Sequence, residues 1–276
     1  MCGILTGCES FIFSFKKYYE FMSMKKWIFL QGSNAVAFIV TVAVNALAGS
    51  TTLLNGMTSG EISDLYPTLI TPAGYTFSIW GLIYTLLLVF IVYQALPRNR
   101  EQPFLGQVSF LFVLSSILNF VWLFLWHYEE ITFSVILMFA LLGTLIAIYL
   151  RLNIGRADVP FGEKVCVHLP FSVYLGWITV ATIANVSVAL TAAGWDGGGL
   201  EQVTWAVLVI LVALLITLTV IATRKDVAYS LVIVWALAGI MAKQAENQTV
   251  VLTTEVSIAI VLIAIIVVAV VSRMKR

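Results

Sequence analysis

The sequence predicts an all-α, polytopic membrane helical bundle of about eight transmembrane helices. Three observations carry this. Hydrophobic residues make up 61% of the chain and charged residues only 11%, about half the charged share of a soluble domain. Apolar runs close to the roughly 20 residues needed to cross a bilayer recur from Gln31 almost to the C-terminus. Basic residues fall in ones and twos between these runs, concentrated in alternate loops. Lipid offers no partner to a free backbone N–H, so such runs must close their hydrogen bonds within helices. A closed barrel is excluded because the runs are continuously apolar rather than alternating.

The first 26 residues contain no helix-length apolar run, and their aromatics are interrupted by Lys16 and Lys17; they are expected to form a cytoplasmic or interfacial tail. Met22 and Met24 are alternative starts to Met1, and Met24-Lys25-Lys26 would place positive charge directly ahead of a helix. The first span covers about Trp27 to Leu47, followed by a loop with Gly56, Gly60, Glu61 and Asp64 that ends at Thr71-Pro72-Ala73-Gly74. The second runs from Tyr75 to Leu96, the third from Val108 to Trp126 and the fourth from Ile131 to Leu150. The turn from His127 to Glu130 is short enough to force the third and fourth antiparallel. A longer loop, Arg151 to Val167, precedes a fifth span from His168 to Thr191. A Gly-rich external loop at 194–202 leads to the last three spans, near Val203–Ala222, Val227–Met241 and Val250–Val271. Residues 272–276 form a basic tail.

Charge orients the bundle. With the N-terminus inside, fourteen of the fifteen Lys and Arg residues fall on the cytoplasmic side and only Lys243 outside, beside Glu61, Asp64, Glu129, Glu130, Asp196, Glu201 and Glu246. This satisfies the positive-inside rule, and an odd number of spans would spoil it. The expected localisation is a multi-pass protein with both termini cytoplasmic, in the cell membrane. Scattered basic residues and a net charge of +1 argue against nucleic acid as a partner, which calls for a phosphate-neutralising patch.

The spans contain almost no charge. Glu255, in the eighth, is expected to snorkel to the interface. Ion-coupled transport usually needs buried acids or broken helices near the midplane; Gly176 in the fifth span is the one partial match. Cys2, Cys8 and Cys166 have no metal or disulfide spacing. His127 is expected in an external turn and His168 alone at the start of the fifth span, neither with a metal ligand set. No catalytic residues can be assigned, and an enzyme is disfavoured.

What the spans do contain is aromatic and amide side chains at helical spacing. Phe77, Trp80 and Tyr84 share a face of the second span, and Asn119, Trp122 and Trp126 share one of the third. Pro170, Tyr174, Trp177 and Ala181 follow one side of the fifth, with Asn185 a turn further. Amides can simply join helices, and Trp126 and Tyr75 are expected in the interfacial aromatic belts. Three such stripes together suit a cavity for a flat, largely apolar ligand, held by stacking and oriented by a few polar groups.

The segments Pro72-Ala73-Gly74-Tyr75-Thr76-Phe77-Ser78-Ile79-Trp80-Gly81-Leu82-Ile83-Tyr84, Leu118-Asn119-Phe120-Val121-Trp122 and Tyr174-Leu175-Gly176-Trp177, with Ala181-Thr182 and Asn185, resemble the TspO/MBR family of tryptophan-rich sensory proteins and translocator (peripheral benzodiazepine receptor) proteins. The likeness covers about residues 30–193 and implies a five-helix core at 27–193, with 203–271 as three additional helices. It further implies Pro72, Phe77, Trp80, Tyr84, Asn119, Trp122, Tyr174, Trp177 and Asn185 as pocket or pocket-support positions. The implied ligand is a tetrapyrrole, sterol or similar molecule, so porphyrin or heme enters as bound ligand and no cofactor is required. The implied partners are membrane lipids and this hydrophobic small molecule, with a homodimer left open.

Four departures stand out: a stretch between Phe77 and Trp80 one residue shorter than the family pattern, expected to rotate Phe77; Tyr75 in place of Trp; Asn55, Thr58 and Ser59 where a Trp-rich segment is expected; and three last spans with no counterpart in the family. The last three spans are expected to face lipid or serve packing. The functional expectation is binding, sensing or transport of the ligand. Transport of another small solute and a purely structural membrane role are the alternatives.

Overall fold

The computed structural model describes the backbone of residues 3–51 and 53–274, and side chains at 26–49, 51, 53–272 and 274. Cys2, the side chain of Cys8 and the side chains of Lys16, Lys17, Lys25, Arg273, Lys275 and Arg276 lie outside the described residues. Among the described residues all regular structure is helical, with no strand.

Helix α1 (Gly3–Ser50) continues the first span back through the expected tail. A short helix, α2 (Ser59–Leu65), interrupts the loop that follows. A 3-10 turn (Gly74–Ser78) leads into α3 (Ile79–Ala95). Then come α4 (Pro103–Val108), α5 (Leu111–His127) and α6 (Ile131–Arg151). Helix α7 (Phe161–Glu163) passes through a π-helical turn (Lys164–His168) into α8 (Leu169–Ala192). The chain ends with α9 (Gln202–Arg224), α10 (Val227–Lys243) and α11 (Gln248–Met274).

Among the described residues six helical segments are long and apolar enough to cross a membrane, and the two shorter apolar helices, α5 and α10, stand among them. The protein is an integral multi-pass membrane bundle.

Two boundaries differ from expectation. The third span begins with a separate helix, because Ser109 takes a left-handed conformation (φ 47°) between α4 and α5. The fifth starts at Phe161 rather than His168, so the loop before it shrinks to 152–160. Pro160 stands just ahead of the first turn, where a missing N–H costs nothing, and Gly162 is covered by the Tyr93 ring. Gly176 does not interrupt α8; a Cβ there would lie 3.0 Å from Val232 Cβ, so the glycine lets α10 approach.

Helices α1, α3, α8, α6 and α5 contact one another in that order and close into a ring, α5 meeting α1 again. Helix α10 packs on the outside of α8 and carries α9 and α11. Lipid tails are as apolar as leucine, so close packing and interhelical hydrogen bonds hold such a bundle together. Asn34 Nδ2 donates to Gln94 Oε1 (3.0 Å), joining α1 to α3. Asn45 Nδ2 donates to Asn119 Oδ1 (2.8 Å), joining α1 to α5. Glu255 is exposed on α11, consistent with a side chain reaching for the interface.

Asp226 is the main polar joint between the ring and the C-terminal helices. It caps α10, accepting from Tyr229 N, and lies buried at 6% exposure. It also accepts from the hydroxyls of Tyr149 (2.9 Å) on α6 and Ser172 on α8. His168, one turn before Ser172, is buried as well, with Nε2 3.9 Å from Glu163 Oε1. It is therefore not the isolated interfacial residue expected. Asp226→Leu strands three donors in the interior. We expect a loss of about 3 kcal/mol in unfolding free energy, read by denaturation in detergent, with Asp226→Asn losing less.

Candidate functional site

The ring encloses a cavity of about 610 Å³ toward the end where α1 terminates, within the range of small-molecule sites. Of the nine expected residues, Pro72, Phe77, Trp80, Tyr84, Trp122, Trp177 and Asn185 line it. Asn119 and Tyr174 do not. They stand behind the wall, where Asn119 Nδ2 donates to Tyr174 Oη (3.2 Å) and Asn119 Oδ1 receives the bond from Asn45. Their role is to fix the helices that carry the lining rings.

The aromatic wall is built from mutual contacts. Trp80 stacks on Tyr84, one turn further along α3, with centroids 5.4 Å apart and planes at 17°. It meets Tyr174 and Trp177 of α8 edge-on, at 6.0 and 6.3 Å. Phe77 meets Trp177 edge-on at 5.9 Å. The shortened spacing before Trp80 therefore does not turn Phe77 away, because the 3-10 turn that holds it winds more tightly than an α-helix. These edge-to-face and offset geometries suit the aromatic quadrupole.

Trp126 is a correction to the expected interfacial belt. It is buried at 6% exposure, stacks on Trp122 at 5.8 Å, and donates from Nε1 to Ser59 O (3.2 Å). It lines the cavity too, so four of the eight tryptophans do. Tyr75 is half exposed but packs edge-on against Trp235 of α10 at 5.6 Å.

The polar groups fall into two sets. Asn185 is engaged on both sides of its amide: Oδ1 accepts from Trp122 Nε1 (2.9 Å) and Nδ2 donates to Ser134 Oγ (3.0 Å). It orients the Trp122 ring. Trp177 Nε1 and Tyr84 Oη are different, because both are buried without a hydrogen-bond partner. A buried polar atom left alone costs free energy that a bound acceptor would recover.

The resemblance placed the loop between α1 and α3 at the pocket and named Pro72 there, but sequence reasoning missed its other lining residues. Thr58, Ser59, Gly60, Ser63 and Asp64 all line the cavity. The signal was present as Thr58-x-x-Glu61, a capping box. Thr58 N and Oγ1 donate to Glu61 Oε2, and Glu61 N returns a bond to Thr58 Oγ1. The bond from the Thr58 backbone N–H, followed by that from its hydroxyl, holds the Glu61 carboxyl below its ordinary pKa. Its support of α2 is present at neutral pH and is lost as pH falls through the lowered value. His127, expected in an exposed turn, is fully buried and anchors this loop: Nε2 lies 2.8 Å from Ser59 Oγ and Nδ1 3.2 Å from Leu54 O. Among the described residues no group of three or more His, Cys, Asp or Glu is placed to hold a metal.

Fold and cavity together define a class: a membrane helical bundle enclosing an aromatic-walled chamber. The chain matches the family model for TSPO-like protein over residues 28–269, and it belongs to that family. The match runs through the three C-terminal spans as well as the five helices that carry the motifs. No curated protein and no solved structure matches the chain. The family's typical role is sensing or binding.

Proposed function

We propose that this protein binds a flat, largely apolar ligand of the tetrapyrrole or sterol class within the membrane, for sensing or for transport. The observation that carries the reading is the pair of unpartnered buried donors, Trp177 Nε1 and Tyr84 Oη, on two of the residues that line a largely apolar cavity. Stacking area supplies affinity, and two fixed donors suit a planar molecule with acceptor atoms. Trp80, Trp122, Trp177, Phe77 and Pro72 supply the contact surface, with Tyr84 orienting the ligand. Asn185 positions Trp122, while Asn119 and Tyr174 support the wall. A porphyrin is held here as a ligand by its faces; His168 is not among the lining residues. The chain sits in the cell membrane with both termini on the cytoplasmic side, so the cavity occupies its outer half.

Titration of the detergent-solubilised protein with protoporphyrin IX tests this. Saturable quenching of tryptophan fluorescence at one ligand per chain is the expected result. Quenching that rises without saturation, as for a dye dissolved in the micelle, would overturn the reading.

A further inference from the structure

Residues 58–78 form a strap across the cavity, comprising α2, the connection through Pro72 and the 3-10 turn before α3. One end is tied to α5, where Trp126 Nε1 donates to Ser59 O and His127 bonds Ser59 Oγ. The remainder is tied to α10, outside the ring. Ala73 N donates to Gly239 O (3.0 Å), and Trp235 Nε1 to Thr76 O (2.9 Å). Gly239 makes this approach feasible: a Cβ there would collide with the Thr76 side chain and lie 3.0 Å from Pro72 Cβ. Further along α10, Gln244 Nε2 reaches Thr68 O (3.4 Å) and Lys243 Nζ pairs with Asp64 Oδ1 at 2.6 Å.

These ties differ in kind. Those at Ala73 and Thr76 are hydrogen bonds to backbone, made where the strap packs closely on Gly239 of α10, and they form a fixed joint. The Lys243–Asp64 pair is at the surface, with the Asp64 side chain 66% exposed and that of Lys243 30%. Asp64 is also part of the cavity wall. A residue that is at once lining and exposed marks where the chamber meets the outside. An ion pair in water opens and re-forms at low cost, so this contact can break while the backbone joint holds. Lys243 is also the single basic residue that the charge pattern assigns to this face.

We propose that α10 is a latch on the cavity, its Lys243 closing the strap at Asp64 and setting how fast ligand passes the mouth. The inference rests on the preceding reading only in that the chamber admits a ligand.

Two readouts test it. Hydrogen–deuterium exchange of the amides of 59–72, without ligand, is expected to quicken in Lys243→Ala, while exchange in α8 stays unchanged. The charge-exchanged pair Asp64→Lys with Lys243→Asp restores slow exchange. With protoporphyrin IX in stopped flow, Lys243→Ala raises association and dissociation rates together by about two- to five-fold, the span an exposed pair can supply. The dissociation constant moves much less. Added salt quickens the wild type and leaves the variant unaffected. Unchanged exchange in Lys243→Ala, or a charge-exchanged protein as fast as the single variant, overturns the latch. If the wild type fails to bind the porphyrin, the functional reading falls, and the exchange experiment still decides the latch.

Discussion

Removing both central indoles, in Trp80→Ala with Trp177→Ala, is expected to weaken protoporphyrin IX binding by about 100-fold or more, since each buried aromatic contact contributes on the order of 1–3 kcal/mol. The two rings touch each other and between them contact Phe77, Tyr84 and Tyr174, so their loss opens the wall from α3 and α8 at once. The quenching titration measures the change directly. Trp177→Phe separates two contributions, because it keeps most of the ring and deletes the unpartnered N–H. A roughly tenfold loss there assigns Nε1 to the ligand, as a hydrogen bond of about 1.4 kcal/mol corresponds to that factor. An affinity within threefold of wild type in the double variant, with the far-ultraviolet dichroism unchanged, would remove the cavity from the account.

The second large effect concerns folding. Gly155→Ala is expected to lower the unfolding free energy by about 3 kcal/mol, from left-handed backbone strain plus a steric clash. Gly155 holds φ at +80° in the loop after α6, and a Cβ there would run into the Arg224 carbonyl at the end of α9. That loop and the α9 terminus are locked together: Arg156 Nε donates to Thr223 O (2.9 Å) and Arg224 to Asn153 Oδ1 (2.8 Å). Gly143, within α6 and facing open space, is the control. Gly143→Ala should leave stability unchanged or raise it by about 0.5–1 kcal/mol. Thermal denaturation in one detergent measures both, and equal midpoints for the two variants would refute the packing argument.

Much of the fold was legible because a bilayer restricts the choices. Apolar runs of spanning length had to be helices, and the alternation of basic loops ordered them. The aromatic stripes were legible for a related reason: Phe77, Trp80 and Tyr84 need only helical spacing to share a face. What could not be read was which neighbour each face meets. Trp126 has the composition and position of a belt residue, and only its stacking on Trp122 and its bond to Ser59 place it inside. Asn185 had the chemistry of a ligand contact, yet Trp122 and Ser134 both bond its amide. Asp226 drew no expectation from the sequence, because its partners Tyr149 and Ser172 lie 77 and 54 residues away. The early start of the fifth span was hidden by Pro160 and Gly162, which read as loop residues although a proline suits a helix start.

The backbone bond from Ala73 to Gly239 has a practical consequence for anyone seeking a shorter version of the bundle. A chain cut after the fifth span would leave the Ala73 amide and the Trp235-bonded carbonyl of Thr76 without counterparts. The packing face of α8 around Gly176 would also be bare to lipid. Dissection into five helices and three would therefore yield two fragments with damaged seams, and functional reconstitution calls for co-expressing both or keeping the polypeptide whole.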